Sequence, residues 1–230
     1  QYHDIVGEGD LRERENPFLL VVETQEPFEV DPNLRDRVFY DRYQLFPIEA
    51  ENKEGLSSQA VIDYRTLSIQ RLTDVNENVS EALTDAMGMV VAATTYGTEE
   101  DEDGNVFTNG DLPIADYRPT VLSGIPEVVD NPHRFLQGAS TFFYYDLHAW
   151  KDRKEPTQSI SLTRETHARE LPEGSETEIQ IALSYSDGFG RELQKKIKVE
   201  AGLAYLSDEA GSLVTDAEGK VVQEEVEDRW

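Results

Sequence analysis

Ala182-Leu-Ser-Tyr-Ser-Asp-Gly-Phe-Gly-Arg-Glu-Leu-Gln-Lys-Lys-Ile-Lys-Val-Glu-Ala-Gly202 reads as two strands around a tight turn. Upstream, Ile179, Ile181, Leu183 and Tyr185 alternate with Gln180, Ala182 and Ser184, the period of two of a strand with one buried face. Downstream, Leu193, Lys195, Ile197 and Val199 alternate with Gln194, Lys196 and Lys198. This parity puts Leu193, Ile197 and Val199 on the core side, with Lys195 the misfit. Asp187-Gly188 is read as supplying the positive φ angles a hairpin turn needs, and Gly190 another. The Asp187 side chain is placed to accept bonds from nearby backbone N–H groups, and Arg191 to brace the turn.

The same Asp-x-x-Gly spacing recurs at Asp85–Gly88 and Asp216–Gly219, each flanked by strand-like residues. Working outward, Val79–Thr84 and Met89–Gly97 read as a strand pair around Asp85–Gly88, and Leu72–Asn78 as a turn. Ala60–Gln70 reads as one strand, Arg37–Glu49 as aromatic and β-prone, and Pro17–Glu23 as a short strand buried on both faces. Thr98–Asp116 reads as an exposed acidic loop and Pro132–Gln137 as a single helical turn. Ser140–Trp150 is expected to be a buried strand, and Ser159–His167 alternates like a strand with one buried face. The expectation is an all-β fold, an array of antiparallel hairpins with at most one or two short helices. Its blocks are an irregular segment at 1–35 with one short strand, a first hairpin unit at 36–97, an acidic connector at 98–135 and a second sheet unit at 136–230.

Length and charge bound the function. The chain has 230 residues, 47 acids and 21 bases, for a net charge of −26. So negative a surface repels nucleic acid and anionic membrane. It also suits a protein that stays soluble in high salt. With no cysteine, disulfides, thiolate zinc sites and cysteine nucleophiles are excluded. No apolar run reaches the length of a membrane span, and no signal peptide is visible. The sequence reads as an excised piece of something longer.

Candidate chemistry is sparse. Glu99, Asp101, Asp103 and Gly104 fit positions one, three, five and six of an EF-hand loop, but Gly110 stands where the bidentate acid belongs. Asp74, Asn76 and Asn78 keep a similar spacing and read as a turn. His3, His133, His148 and His167 show no metal-binding spacing. The aromatic run Phe142–Tyr145 is read as core packing rather than a sugar platform. No nucleophile elbow, phosphate loop or carboxylate pair can be specified. No catalytic, cofactor or metal residue is assigned.

Tyr185-Ser-Asp187-Gly-Phe-Gly190-Arg191 resembles the tyrosine–aspartate (YD) repeat of Rhs-family proteins. The longer string to Ile197 is similar to a segment in the B component of bacterial toxin complexes (Tc toxins). Further stretches match in the same order. They include Ile62–Leu67 with Leu72–Asn78, Asp85–Ala92, Tyr145–Leu147, Thr163–His167, Leu171–Gly174 and Asp228–Trp230. Asn76-Glu-Asn78 departs from the family's Asn-Gly-Asn.

The resemblance implies a non-enzymatic piece of a curved, YD/Rhs-repeat sheet, lying between the family's β-propeller and its main shell. That shell encloses a toxic C-terminal polypeptide. The implied partners are the rest of the shell, the enclosed toxin and a pore-forming translocation subunit, in a secreted or cell-surface setting. No cofactor is implied. The structural turn residues are Asp85, Gly88, Tyr185, Asp187, Gly188, Gly190, Arg191, Asp216 and Gly219. A freestanding β-module that binds carbohydrate or calcium is the alternative. A hydrolase would need converging carboxylates in a pocket.

Overall fold

The computed structural model describes residues 20–25, 31, 34–100, 106–208, 210–227 and 229–230. The chain forms two compact units that interleave in sequence. The first holds residues 1–118, 137–140 and 167–175; the second holds 119–136, 141–166 and 176–230. The sequence blocks run end to end, whereas the units do not.

The first unit is an antiparallel meander. Its strands are β1 (Glu23–Thr24), β2 (Asp36–Tyr40), β3 (Pro47–Glu51), β4 (Ser57–Asp63), β5 (Ser68–Thr73), β6 (Val79–Thr84), β7 (Val90–Glu100) and β8 (Val106–Gly110), each paired with the next. The register separates two faces, because directly paired residues share a side. One face carries the rows Glu23–Arg37–Glu51–Ser57 and Val61–Arg71–Glu81–Thr94. Arg37 lies 3.8 Å from Glu23 and 3.3 Å from Glu51 along the first row. The other face carries Val38–Ala50–Ser58, Ala60–Leu72–Ser80–Thr95 and Ala82–Ala93. Residues 112–117, with a single 3-10 turn at Ile114–Asp116, cover the charged face at β6–β7. There the Ile114 N–H donates to Glu81 Oε2 at 2.9 Å, and Thr94 Oγ1 to the Leu112 carbonyl at 2.7 Å. Burial pushes the Tyr117 phenol up to about 12.

The second unit packs helices on one face of a sheet. Its elements are α1 (Ile125–Asp130), α2 (Pro132–Leu136), β9 (Thr141–Asp146), α3 (Ala149–Arg153), β10 (Thr157–Arg164), β11 (Ile179–Ser186) and β12 (Glu192–Ile197). A ribbon of β13 (Gly202–Tyr205) and β14 (Gln223–Val226) follows. The buried face carries Phe142–Leu162–Ile181 and Tyr144–Ile160–Leu183–Lys196. Phe135 of α2 packs on Phe142 at 5.7 Å between ring centroids. Phe135, Leu136 and Val128 complete a buried apolar core, the main hydrophobic stabilisation of this unit. The open face carries Phe143–Ser161–Ala182–Ile197 and Tyr145–Ser159–Ser184–Lys195.

Several expectations change. Among the described residues there are three short α-helices rather than one or two. Ala60–Gln70 is broken by a turn, since the Arg65 N–H donates to Asp63 Oδ1 at 2.8 Å and Leu67 takes φ 55°. Trp150 is exposed on α3 rather than buried in a strand. Thr98–Asp116 is not an exposed loop throughout, since β7 and β8 pair across it and Asp111 is fully buried. Residues 101–105 and 17–19 lie outside the described residues.

The largest change is in the opening stretch. Leu193 and Ile197 are 59% and 50% exposed. Ser186 pairs with Glu192 but Tyr185 pairs with Gln194, so Leu193 is an extra residue in β12. A bulge of this kind inverts the side-chain parity of everything beyond it. Gln194, Lys196 and Lys198 therefore follow the core side of β11, while Leu193 and Ile197 face out. Three more hairpins carry an extra residue on the returning strand, at Ile48, Gln70 and Val91.

Candidate functional site

The most repeated feature of the chain is a turn cassette. At Asp187–Gly190 the Gly190 N–H donates to the Asp187 carbonyl at 3.1 Å, and the Asp187 N–H to the Arg191 carbonyl at 3.0 Å. Asp187 Oδ1 accepts the N–H groups of Phe189 and Arg191 at 2.8 and 3.0 Å. Gly190 sits at φ 76° with open space where a side chain would be, and Gly188 is not at positive φ. This is a tight turn closed by one left-handed residue. The Arg191 Nε also donates to Asp187 Oδ2 at 2.6 Å. The backbone bond from Arg191, with the guanidinium and Phe189 bonds, outweighs desolvation and holds the Asp187 carboxyl below its usual range. Tyr185 precedes the turn, with Lys196 Nζ 5.8 Å from its ring.

The same four bonds occur at Asp85–Gly88 and Asp216–Gly219. They occur also at Asn52–Gly55, Asp74–Glu77 and Asp208–Gly211, which the Asp-x-x-Gly reading had not singled out. At Asp74 the left-handed position is filled by Glu77 at φ 64°. The turn forms despite the missing glycine, because Asn78 adds a side-chain bond to Asp74 Oδ2 at 3.1 Å.

Asp208 and Asp216 expose a missed repeat of eight residues, Leu206-Ser-Asp208 to Leu213 and Val214-Thr-Asp216 to Val221. It closes a ring of backbone bonds: Leu206 N–H to the Val222 carbonyl at 3.1 Å, Val222 to Val214 at 2.9 Å and Val214 to Leu206 at 2.9 Å. The signal was present in the sequence as the paired Ser/Thr-Asp-x-x-Gly.

In the first unit the turns at one sheet end are tied together. Tyr64 donates to Asp41 Oδ2 at 2.5 Å, and Arg65 to the Asp85 carbonyl at 2.7 Å. Burial alone would raise the Asp41 carboxyl, but the bonds from Tyr64, Phe46 and Leu45 outweigh it and lower it.

A second constellation is a buried clasp around Asp111, also unforeseen. Its Oδ1 accepts the Ala168 N–H at 2.7 Å, and its Oδ2 accepts the Ser140 hydroxyl and lies 3.0 Å from His167 Nδ1. Ser140 Oγ in turn accepts the Thr95 N–H at 3.0 Å. Arg169 reaches the Asp111 carbonyl at 3.3 Å. Ser, His and Asp thus meet, but in the wrong order for acyl transfer. In a triad the imidazole stands between hydroxyl and carboxyl; here the serine bonds the carboxyl directly. The clasp ties three distant segments of the unit together.

The other sequence candidates stay apart. His133 pairs with Glu176 at 3.6 Å, and His148 stands at the N-terminus of α3. His3 and the acids at 101–103 lie outside the described residues. Among the described residues no three His, Cys, Asp or Glu side chains converge on a metal-sized site, and no helix is long and apolar enough to cross a membrane. Phe142 is buried, while Phe143 and Tyr145 stack on the open face at 6.5 Å.

No family model and no curated protein matches the sequence. Solved structures do match. A crystal structure of TcdB2-TccC3 aligns with a TM-score of 0.66 at 24% identity, over 84% of this chain and 8% of that one. TcdB2-TccC3 without its hypervariable C-terminal region aligns at 0.65 and 19%, over 84% and 11%. A Tc holotoxin pore of Photorhabdus luminescens aligns at 0.64 and 19%, over 85% and 11%. This chain therefore has the antiparallel fold found in Tc toxin chains and spans about a tenth of their length.

Proposed function

We propose that this chain is a non-enzymatic wall segment of a Tc/Rhs-type shell that encloses a toxic polypeptide for delivery. The supporting observation is the likeness of its sheet to TcdB2-TccC3 over 84% of its length, in a chain whose first strands have no core of their own. Among the described residues, no apolar side chain from Leu20 to Asn78 is buried, while Tyr43, Leu45, Val61, Leu67 and Ile69 are exposed. A freestanding domain buries such residues; a sheet that continues into a larger wall does not need to. Cassette turns suit that role, because each reverses the chain with its own side chain as acceptor and uses no core. The implied partners are the adjoining shell, the enclosed polypeptide and a translocation subunit, in an extracellular complex.

The test is protease protection. The polypeptide that contains this stretch is purified with its C-terminal segment and treated with protease. Protection of that segment, lost when 182–202 is replaced by a flexible linker, supports the reading. A freely digested segment, or a monomeric 230-residue chain that gains stability only on adding calcium or sugar, refutes it.

A further inference from the structure

We propose that the open edge of β12 is a strand-addition site, and that its occupant is the segment that follows Trp230 in the longer polypeptide of the shell reading. The inference rests on that reading for the existence of such a segment and adds where it docks. β12 ends the strand order of its sheet. Backbone groups along an antiparallel strand point alternately toward one neighbour and toward the other side. Just past β12, the Lys198 N–H donates to the Ile181 carbonyl of β11 at 2.8 Å, and the Val199 N–H donates the opposite way, to the Arg229 carbonyl at 2.9 Å. Lys195 and Ile197 share the parity of Val199, so their N–H groups turn to the same open side.

The occupant follows from the register. The β13–β14 pairing runs from Tyr205–Gln223 back to Gly202–Val226, and the antiparallel Val199–Arg229 bridge continues it without a slip. The next pair on this count is Lys198 with Trp230, and Lys198 Nζ lies 6.0 Å from that ring. Arg229 Nη1 also donates to the Leu203 carbonyl at 3.2 Å. β14 and Arg229 are thus the start of a returning strand, and each residue after Trp230 pairs one position further back along β12. A second copy of β12 is the poorer occupant, because it would set Lys195 and Lys196 of the two copies against each other. Strand addition also closes an edge whose Leu193 and Ile197 are 59% and 50% exposed, an arrangement that otherwise invites aggregation.

Amide hydrogen exchange on the full polypeptide tests the edge. The Lys195 and Ile197 N–H groups are expected to be protected along with that of Lys196. Open exchange at Lys195 and Ile197 beside a protected Lys196 overturns the proposal, and cargo that stays protected from protease then leaves the shell reading standing. This stretch contains no cysteine, so engineered pairs report the register. K198C/W230C, a pair facing across this edge, is the positive control. K196C with a cysteine two residues after Trp230 is expected to close a disulfide within one chain. Failure of that bond while the control forms overturns the proposed occupant. Disulfides between two copies, or protection at Lys195 and Ile197 that fades on dilution, overturn it in favour of self-association. A coding sequence that stops after Trp230 leaves no occupant and overturns it as well. Digested cargo beside protected edge amides and an intrachain disulfide overturns the shell reading and leaves the edge assignment standing.

Discussion

Replacing Asp111 by alanine removes the acceptor around which the first unit closes. The side chain has no solvent exposure. Its loss leaves two half-buried donors, the Ala168 N–H at 2.7 Å and the Ser140 hydroxyl, without their acceptor. The third neighbour, His167, is 48% exposed and turns to water. A fully buried donor left without an acceptor costs about 1–3 kcal/mol, so two half-buried ones cost at most roughly 2–6 kcal/mol. Refilling by water or rotation of Ser140 pulls the expected value to about 3–4 kcal/mol, a large share of the ~5–15 kcal/mol that holds a domain together. The assay is urea unfolding of D111A, D111N and the D111A/S140A pair, with amide exchange at Ala168 and Thr95 as the local readout. D111N keeps one acceptor and loses about half as much. Because Ser140 and Asp111 share one bond, the double variant costs less than the sum of the singles by about 1 kcal/mol or more. A D111A loss under about 1 kcal/mol, within the range of ordinary surface changes, or unchanged protection at Ala168, refutes the clasp.

Other turns give sharper contrasts. At Gly190 a side chain meets nothing, so G190A costs only the left-handed backbone, about 1–2 kcal/mol. At Gly110 the new carbon also meets the Thr95 carbonyl oxygen at 2.7 Å and Tyr96 Cα at 2.8 Å, so G110A costs more than G190A by thermal melting. Glu77→Gly removes a non-glycine residue from φ 64° and raises stability by about 0.5–1 kcal/mol in urea; a loss of stability contradicts the strain argument. The Asp187 and Asp74 carboxyls are held low, Asp187 chiefly by the Arg191 N–H and Asp74 chiefly by the Asn78 side chain. Both are charged, and their turns fully stabilised, above the ordinary carboxylate range. That contribution is lost as the pH falls through their depressed folded values. Carboxyl carbon NMR should place both midpoints below that of a free aspartate, and R191A and N78A should move them up.

What was legible in this sequence was local. Asp187, Gly190 and Arg191 lie within five positions of each other, and every bond of their turn is short-range. Spacing therefore carries the geometry, and the same holds for Asp85 and Asp216. It held equally for Asp208, where the repeat had only to be counted, and for Asp74, where Asn78 shows that glycine is preferred in the cassette rather than required. The strand pair around the opening turn was legible too, but its parity was not. Period-two reasoning assumes one residue opposite one residue, and Leu193 breaks that count once. Ile48, Gln70 and Val91 break it in three other hairpins. The Asn52–Gly55 and Asp74–Glu77 turns lead into regular pairs, so the left-handed residue alone does not set the bulge; where a bulge does follow, apolar residues beyond it belong to the opposite face from the one alternation assigns.

Asp111 marks the other boundary. By type and neighbourhood it is one more acid in an acidic stretch, and nothing near it in sequence distinguishes it from Asp116. Its partners stand 29, 56 and 57 positions away, and sequence spacing says nothing at that range. The two aspartates do opposite work with the same group. Asp187 satisfies donors that its own turn creates, so the hairpin needs no support from elsewhere. Asp111 satisfies donors from segments that would otherwise have no reason to meet. A chain that builds its sheet from self-sufficient turns needs few such clasps, and needs them where the meander ends and the chain must return. Asp111 directly follows β8, the last strand of that meander.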